Sequence, residues 1–326
     1  MRPEFWSERS VLVTGASGIV GSWLVKKLLR LDAHVVGLIR DLDPRSELCL
    51  SGDINRVSVV QGALEDYWTL ERALNEYQVS AVFHLGAQAI VGAAHRSPLP
   101  TFEANIRGTY NLLEACRVHS ETIESVVIAS SDKAYGQQSE LPYTEGMSLT
   151  GRHPYEVSKS CADLIAQAYH FTYGLPVAIA RCGNVYGGGD LNWSRIVPAT
   201  IRSLLAGEKP VIRSDGSYVR DYIYVEDIVR AYICLAEALP SVELSGQAFN
   251  FGNELPVTVL QLVERIQAVM GCTDLAPVIL ATAKGEIHSQ YLSATKAREM
   301  LEWQPEFDTD RGLRETVEWY RGFLAV

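Results

Sequence analysis

A glycine-rich turn between an apolar strand and a helix constrains this chain most. The segment S-V-L-V-T-G-A-S-G-I-V-G covers residues 10–21 and runs on into the helical stretch S-W-L-V-K-K-L-L-R. Gly15, Gly18 and Gly21 permit a tight turn, close approach of a pyrophosphate and close helix packing, and the helix N-terminus faces the phosphates. Because strand, turn and helix follow in the required order, a dinucleotide site is much better supported than a chance loop.

The end of the second strand bears on the choice of dinucleotide. The predicted strand 33–39 is followed by Arg40 and Asp41. An acidic residue at this distance usually takes the adenosine ribose of NAD, whereas an arginine can hold the 2′-phosphate of NADP. Since both residues are present, the sequence leaves NAD and NADP open.

Strands and helices keep alternating through the first half of the chain. Predicted strands at 57–61, 80–84, 126–131 and 176–182 are separated by stretches with helical character. The pattern predicts an α/β fold, a Rossmann-type doubly wound parallel sheet with a smaller C-terminal substrate-binding domain. We expect residues 1–183 and about 221–250 in the dinucleotide-binding domain, and residues 184–220 and about 251–326 in the smaller one. His84, at the end of an apolar strand, is expected to be a hydrogen-bonded structural histidine.

Two segments are expected to bring acid–base groups into one cleft. The apolar strand V-V-I-A-S-S delivers Ser131, Asp132 and Lys133 at its polar end. In Y-E-V-S-K, Tyr155 and Lys159 lie one helical turn apart, so the ammonium should lower the pKa of the phenol from its usual value near ~10. Taken alone, a Tyr and a Lys at this spacing are more often an ordinary exposed pair. A nicotinamide site elsewhere in the chain is needed to support a catalytic role for them.

A change of pattern after residue 190 predicts a phosphate-binding region. Asn184 lies in a glycine-rich loop at the carboxyl edge of the sheet, where ligands of open α/β folds bind. Arg195, Arg213 and Arg220 could bind a diphosphate. Each could instead be a solvated surface arginine, and Arg220 has the strongest claim because apolar and aromatic residues surround it in the sequence.

Charge and composition exclude several classes of function. The net charge of −10 argues against a nucleic-acid or anionic-membrane surface. No membrane span or signal peptide is evident, so we expect a cytoplasmic protein. The scattered cysteines suggest neither a disulfide framework nor a metal site, and we interpret them as reduced thiols. They are Cys49, Cys116, Cys161, Cys182, Cys234 and Cys272.

Together these motifs resemble the nucleotide-sugar-modifying branch of the extended short-chain dehydrogenase/reductase superfamily. The resemblance covers nearly the whole chain, through T-G-A-S-G-I-V-G, H-L-G-A-Q, N-I-R-G-T-Y-N-L-L-E-A, S-S-D-K-A-Y-G, Y-E-V-S-K, R-C-G-N-V-Y-G and V-R-D-Y-I-Y-V-E-D. The S-D-K form, with G-N-V-Y-G-G-G-D later, looks most like CDP-glucose 4,6-dehydratases. The stretch V-V-G-L-I-R is similar to NADP-using GDP-mannose dehydratases. The resemblance therefore implies a nucleotide-sugar 4,6-dehydratase of the CDP-glucose or GDP-mannose type.

The resemblance also implies a reaction path. Tyr155, with Lys159 beside it, would take the proton of the sugar 4-hydroxyl while hydride leaves C4 for the cofactor, and Ser131 would hydrogen-bond the same oxygen. Lys133 would remove the C5 proton, and Asp132 in its protonated form would donate to the departing 6-hydroxyl. Hydride would return to C6, so NAD or NADP would stay tightly bound and be regenerated in each turnover.

Further contacts follow from the resemblance. For the cofactor, the implied residues are Gly15, Ser17, Gly18, Ile19, Gly21, Arg40, Asp41, Leu64, Leu85, Ala87, Tyr155 and Lys159. For the nucleotide sugar, they are Gln88, Tyr135, Asn184, Arg195, Arg213 and Arg220. Relatives form homodimers through a four-helix bundle that contains the Tyr155 helix. The run C-A-D-L-I-A-Q-A-Y fits such a face and fits an intramolecular core equally well.

Two other functions remain open at this stage. A 4-epimerase or 4-reductase of nucleotide sugars needs Ser131, Tyr155 and Lys159 but has no need of Asp132 and Lys133. A dinucleotide-binding protein without turnover would keep the fold but would have no use for the serine, tyrosine and lysine together.

Overall fold

The computed structural model describes residues 2–240, 242–282 and 286–325. The strands are β1 (Ser10–Thr14), β2 (His34–Ile39), β3 (Ser58–Gln61), β4 (Ala81–His84), β5 (Ser125–Ser131), β6 (Val177–Cys182), β7 (Asn184–Tyr186), β8 (Val211–Ile212), β9 (Val219–Tyr224), β10 (Ala248–Phe251), β11 (Pro256–Thr258), β12 (Val278–Ile279) and β13 (Ser289–Gln290). The helices are α1 (Pro3–Trp6), α2 (Ile19–Arg30), α3 (Glu47–Leu50), α4 (Tyr67–Glu76), α5 (Val91–Arg96), α6 (Pro98–Phe102), α7 (Gly108–Val118), α8 (Pro154–Tyr173), α9 (Ile196–Leu205), α10 (Val225–Ala238), α11 (Val259–Met270), α12 (Thr295–Leu301) and α13 (Thr309–Leu324).

The predicted doubly wound sheet is present. Seven strands pair in the order β10-β6-β5-β4-β1-β2-β3, and every pairing in this sheet is parallel. The chain winds outward from β1 through β2 to β3 and then returns to place β4 on the other side of β1. Ligands of such sheets bind where the winding reverses, so the crevice between the ends of β1 and β4 is the expected ligand position.

Helices cover both faces of the sheet, and successive strand residues point toward opposite faces. On β1, Val11 and Val13 pack into one hydrophobic cluster with α2 and α10, whereas Leu12 packs into the other with α4 and α7. Strands buried on both sides need apolar residues at consecutive positions, and this explains the continuous apolar runs in the sequence.

A smaller sheet forms beyond the first domain. In this sheet β9 pairs with β7, β11 and β13. Among the described strands after β6, only β10 joins the large sheet. The expected boundary at residue 221 is therefore too early, because residues 221–224 belong to β9. Asn184 begins the short strand β7 and does not lie in a loop as expected, because backbone pairing with Tyr222 extends this segment.

The predicted helix at about 101–118 is interrupted. α6 ends at Phe102, a π-helical turn covers Glu103–Arg107, and α7 begins at Gly108. By contrast α8 is continuous. Pro154 occupies its first turn, the carboxylate of Glu156 accepts hydrogen bonds from the backbone of Arg152 and His153, and Gly174 ends it with φ 71°. Among the described residues, no helix has the length and apolar character needed to cross a membrane.

Candidate active site

A large cleft opens along the carboxyl ends of the parallel strands. Its volume is about 1270 Å³, and it runs from the glycine turn after β1 to the arginines of the smaller domain. A pocket for one drug-sized ligand has roughly 300–1,000 Å³, so this cleft has room for a dinucleotide and a second ligand.

The glycine turn fits the diphosphate of a dinucleotide. Gly15 has φ +68°, and a Cβ there would lie 2.8 Å from the Cα of Gly86. A Cβ on Gly21 would lie 2.1 Å from the carbonyl oxygen of Gly15, so α2 packs against the turn only because this position is glycine. Gly18 precedes α2 without any side-chain cap, which leaves the first N–H groups of the helix facing the cleft. Ser17 and Ile19 line the same region.

The end of β2 presents both residues that bear on the dinucleotide. The guanidinium of Arg40 lies 2.6 Å from the carboxylate of Asp41, and both side chains are exposed at the cleft. Ser46 also lines the cleft, and its buried hydroxyl has no hydrogen-bond partner among the described residues. An unpaired buried hydroxyl is uncommon in a folded protein, and this one, which motif reasoning missed, leaves a hydrogen-bonding group available to a ligand. The expected contacts Leu64, Leu85 and Ala87 lie on the cleft wall as well.

The end of β5 positions the serine, the acid and the amine. The hydroxyl of Ser131 donates to Asp132 Oδ1 at 2.9 Å and accepts from the backbone N–H of Lys133 at 3.2 Å. Asp132 is buried, and Lys133 is half-buried at the cleft. The 3-10 turn Asp132–Tyr135 redirects the chain immediately after the strand, so consecutive side chains reach the cleft together.

α8 brings Tyr155 and Lys159 to the same place. Both residues are buried, which rules out the exposed surface pair that the spacing alone allowed. Lys159 Nζ donates to the carbonyl oxygen of Ala129 at 2.7 Å, and burial lowers the pKa of Lys159 to about 8. Burial raises the pKa of Tyr155 to about 12, while the positive charge of Arg195 and a hydrogen bond with Ser131 oppose this rise.

Contrary to expectation, Lys159 does not lower the pKa of Tyr155 below its usual value, because burial has the larger effect. Loss of water around the phenol outweighs the neighbouring positive charges, because burial penalises the phenolate. The lysine instead fastens α8 to β5 through the Ala129 carbonyl.

His84 is a structural residue, as the sequence indicated. Thr109 donates its own proton to the carbonyl oxygen of Asn105 at 2.6 Å, so its oxygen accepts from His84 Nε2 at 3.0 Å. Thr14 accepts from the N–H of Gly86 at 3.0 Å and donates to His84 Nδ1 at 2.9 Å. These partners assign the neutral tautomer with the proton on Nε2. Burial lowers the pKa of His84 to about 3.

Tyr135 does not line the cleft, contrary to expectation. Its ring is fully buried, and its hydroxyl donates to Asn250 Oδ1 at 2.7 Å and accepts from Arg181 Nη1 at 2.9 Å. Arg181 in turn forms a buried ion pair with Asp163 at 2.8 Å. The sequence could not show that a buried arginine turns this phenol away from the substrate region.

The three predicted arginines do converge on the cleft. Arg195 pairs with Asp190 at 3.0 Å, and Arg213 donates to the carbonyl oxygen of Ser194. Arg220 is buried and donates to the carbonyl oxygens of Val219 at 2.8 Å and His288 at 3.0 Å.

Two amide side chains complete the predicted phosphate and sugar region. Asn184 lines the same cleft, and its buried Nδ2 has no hydrogen-bond partner in the described part of the chain, which leaves a donor available to a ligand. Gln88 lines the opposite wall, where Asn105 fixes its backbone with hydrogen bonds at 2.7 and 3.2 Å.

Gln290 is a further residue that motif reasoning missed. Its Oε1 accepts a hydrogen bond from Lys133 Nζ at 3.1 Å, and the side chain is fully buried. No local sequence pattern marks it, because Lys133 and Gln290 are separated by 157 positions. Among the described residues, no cluster of histidine, cysteine, aspartate or glutamate is arranged to hold a metal.

Comparisons with known proteins agree with this geometry. The family model described as GDP-mannose 4,6 dehydratase matches residues 12–316. The chain is 30% identical to the CDP-glucose 4,6-dehydratase of Salmonella typhimurium, over 98% of this chain and 92% of that relative. The UDP-glucose 4-epimerase structure of Thermotoga maritima, solved with UDP-glucose, has a TM-score of 0.89 at 30% identity and 97% and 99% coverage. The dTDP-glucose 4,6-dehydratase structure of Bacillus anthracis, solved with NAD, has a TM-score of 0.84 at 27% identity and 96% and 97% coverage.

Proposed function

The chain belongs to the GDP-mannose 4,6-dehydratase family of nucleotide-sugar-modifying enzymes, and from this premise we propose that it is a nucleotide-sugar 4,6-dehydratase. The proposed reaction converts an NDP-hexose of the CDP-glucose or GDP-mannose type to the NDP-4-keto-6-deoxy sugar. The family includes both dehydratases and 4-epimerases, so the choice between these activities depends on the site.

One observation carries the proposal: a buried acid and an amine adjoin the serine, tyrosine and lysine. Ser131, Tyr155 and Lys159 suffice for oxidation at C4, which dehydratases and epimerases share. Asp132 lies 2.9 Å from Ser131, and Lys133 follows it at the cleft wall. Removal of water across C5 and C6 needs a proton acceptor and a proton donor, and these two residues supply them.

The oxidation step rests on Tyr155. Its phenolate would accept the proton of the sugar 4-hydroxyl, and the Ser131 hydroxyl would donate to the same oxygen. Because burial raises the pKa of Tyr155 to about 12, this step needs added positive charge nearby, and Arg195 already lowers the pKa. A bound oxidised nicotinamide dinucleotide, held by the Gly15–Gly21 turn and Arg40 or Asp41, would accept hydride from C4 and later return it to C6. We propose NAD, since solved relatives hold it and Asp41 suits the ribose.

The elimination step rests on Lys133 and Asp132. The 4-ketone acidifies the C5–H bond, and neutral Lys133 Nζ would take that proton. Protonated Asp132 would give its proton to the 6-hydroxyl, so the C6–O bond breaks and water leaves. A proton then returns to C5, and solvent hydrogen is expected at that position of the product.

We propose that Arg195, Arg213, Arg220 and Asn184 hold the nucleoside diphosphate. A diphosphate accepts hydrogen bonds only, and these side chains are donors on one stretch of the cleft. The CDP-glucose assignment draws support from the Salmonella typhimurium relative, and the GDP-mannose assignment from the family model.

A nucleotide-sugar 4-epimerase is the second candidate. The Thermotoga maritima epimerase superposes with a TM-score of 0.89, above the 0.84 of the Bacillus anthracis dehydratase. An epimerase would leave C5 and C6 unchanged, so Asp132 and Lys133 would have no chemical role in it.

The test is incubation with CDP-glucose, GDP-mannose, dTDP-glucose and UDP-glucose in deuterated water, followed by mass analysis. If the protein is a dehydratase, one of these substrates should lose a water molecule, and the product should carry one deuterium. Lys133→Met should retain oxidation at C4 and lose deuterium incorporation at C5, whereas Lys209→Met, at an exposed lysine, should behave as wild type. Epimerised product without water loss would support the second candidate, and full dehydratase activity in Lys133→Met would contradict the role of that lysine.

We also propose a homodimer through α8 and its neighbours. Apolar side chains recur along the outer face of α8 at Val157, Cys161, Leu164, Ala168 and Phe171. Leu164 is 55% exposed and Phe171 77% exposed, whereas Ala166 between them is buried. One face of the run C-A-D-L-I-A-Q-A-Y therefore packs into the core, and the opposite face of α8 presents an apolar stripe.

The neighbouring helices extend this apolar stripe. Leu99 on α6 and Tyr110 on α7 are also exposed, and both helices pack on α8. A second copy of the chain would cover the stripe and complete a four-helix bundle.

A further inference from the structure

We infer that Gln290 is a positioning residue for Lys133, the proton acceptor of the elimination step. The inference rests on the proposed function, since it names the residue that holds the proposed base in place. Gln290 lies outside the cleft wall and beneath the lysine, so it acts through Lys133 and does not contact the substrate.

The contact joins the two parts of the protein. Lys133 belongs to the turn after β5 in the large sheet, and Gln290 belongs to β13 in the smaller sheet. Their side chains meet at 3.1 Å between Nζ and Oε1, and Gln290 is fully buried. A half-buried lysine has many rotamers, so a fixed acceptor behind it limits where the amine can point.

The orientation of the amide supports a role beyond packing. The Lys133 amine donates to Oε1 of Gln290, so the carboxamide turns its oxygen toward Lys133 and its nitrogen away. Among the residues that the structure describes, the buried Nε2 group then has no hydrogen-bond partner. A buried polar group without a partner is destabilising, and an apolar side chain at this position would avoid that penalty. The amide therefore costs stability, and within the described part of the chain its side chain hydrogen-bonds only to Lys133.

The strand that carries Gln290 also contacts the proposed phosphate site. Gln290 is paired with Arg220 in the register of β13 and β9, and the carbonyl oxygen of His288 accepts from Arg220 at 3.0 Å. One short strand thus fixes both an arginine expected to bind the diphosphate and the acceptor for Lys133. The position of the Lys133 amine is therefore tied to the position of the proposed diphosphate site.

The mechanism predicts a selective defect. An acceptor facing the amine holds Nζ toward C5 and stabilises the ammonium that forms when Lys133 takes the C5 proton. Neither effect enters the oxidation at C4, which uses Tyr155, Ser131 and Lys159. Loss of the acceptor should therefore slow exchange at C5 and spare reduction of the bound dinucleotide.

The experiment compares Gln290→Met, Gln290→Asn and Gln290→Glu with wild type in deuterated water. Methionine has similar length without a hydrogen-bond acceptor, asparagine withdraws the acceptor by one methylene group, and glutamate keeps an oxygen at the same distance. Ser289→Ala on the same strand is the matched control, because the Ser289 hydroxyl hydrogen-bonds its neighbour His288 and not Lys133. Three quantities are measured: deuterium gain at C5, reduction of bound dinucleotide by the sugar, and affinity for the nucleoside diphosphate.

We expect methionine and asparagine to slow C5 deuteration by about 10-fold or more, as loss of a hydrogen bond to a charged group predicts. Dinucleotide reduction and nucleotide affinity should stay within about threefold of wild type. Glutamate should restore C5 deuteration as the pH is raised, because a carboxylate beside Nζ keeps the lysine protonated to higher pH. If the methionine variant does not fold, the polar asparagine and glutamate variants still decide the question, because only asparagine should show the defect.

Three outcomes would overturn the inference, and one points elsewhere. The contact is structural only if C5 deuteration is unchanged in both Gln290→Met and Gln290→Asn. The same conclusion follows if these variants lose dinucleotide reduction as much as C5 deuteration, or if Gln290→Glu does not restore C5 deuteration. If wild type releases no dehydrated product from any substrate, the proposed function itself fails, and the variants are not needed to show it.

Discussion

The ammonium of Lys159 lies 2.7 Å from the carbonyl oxygen of Ala129. This contact joins α8, which carries Tyr155, to β5, which ends at Ser131. A buried ammonium is costly without a partner, and burial has lowered the pKa of Lys159 to about 8. The lysine thus has a positional role in addition to its positive charge, since it sets the distance between the two elements of the oxidation site.

Replacement of Lys159 should impair oxidation at C4. Lys159→Met removes both the positive charge and the bond to Ala129, and we expect dinucleotide reduction in a single turnover to slow about 100-fold or more. The measurement is the absorbance of the reduced nicotinamide after mixing enzyme and sugar nucleotide. The surface variant Lys209→Met serves as control, and a wild-type rate in Lys159→Met would contradict the role assigned to the ammonium.

Replacement of Arg220 should weaken diphosphate binding. Arg220→Gln removes a charged donor from the cleft, and hydrogen bonds to charged groups contribute roughly 1.5–3 kcal/mol, so the dissociation constant for CDP or GDP should rise about 10- to 100-fold. Titration calorimetry measures this affinity, and dinucleotide affinity should not change. Arg202→Gln, at an exposed arginine outside the cleft, is the control. Equal affinities in the two variants would exclude Arg220 from the phosphate site.

Acid should destabilise the protein through His84. The pKa of His84 is about 3 in the folded protein and 6.5 in its unperturbed form, so below pH 6.5 the unfolded chain binds a proton that the folded chain does not. The free energy of unfolding therefore falls as the pH falls from 6.5 toward 3. Each pH unit in this window contributes about 1.4 kcal/mol, or about 2 kcal/mol between pH 6.5 and about pH 5.

Urea unfolding at a series of pH values measures this contribution. His84→Gln should lose it, so the stability difference between wild type and variant should shrink as the pH falls. His34→Gln, at an exposed histidine, should keep the acid dependence of wild type. A pH-independent difference between wild type and His84→Gln would contradict the assignment of a buried neutral imidazole.

Charges on the outer face of α8 should separate the proposed dimer. Leu164→Glu combined with Phe171→Glu places carboxylates on the apolar stripe, and their desolvation would oppose association. Sedimentation equilibrium should show the mass of two chains for wild type and of one chain for the double variant. Trp68→Glu changes an exposed aromatic residue on α4 and should leave the mass unchanged. The proposal fails if the double variant and wild type have the same mass.

Local patterns predicted the parts of the site that come from a single segment. The glycine turn of residues 15–21, the strand ending at Ser131 and the helical pair Tyr155 and Lys159 each depend on residues a few positions apart. Backbone geometry and side-chain period fix such features, so the doubly wound sheet and the glycine turn could be predicted from the chain without its coordinates.

The pairing of distant side chains depends on how the chain packs. Packing placed Gln290 behind Lys133, turned Tyr135 toward Asn250 and Arg181, and set β9 in the smaller sheet. It also reversed the expected shift in the pKa of Tyr155, because the shift depends on how much water surrounds the phenol. Contacts between residues 46 to 157 positions apart leave no local period in a chain, and desolvation is a property of the packed interior, so neither could be predicted from the sequence.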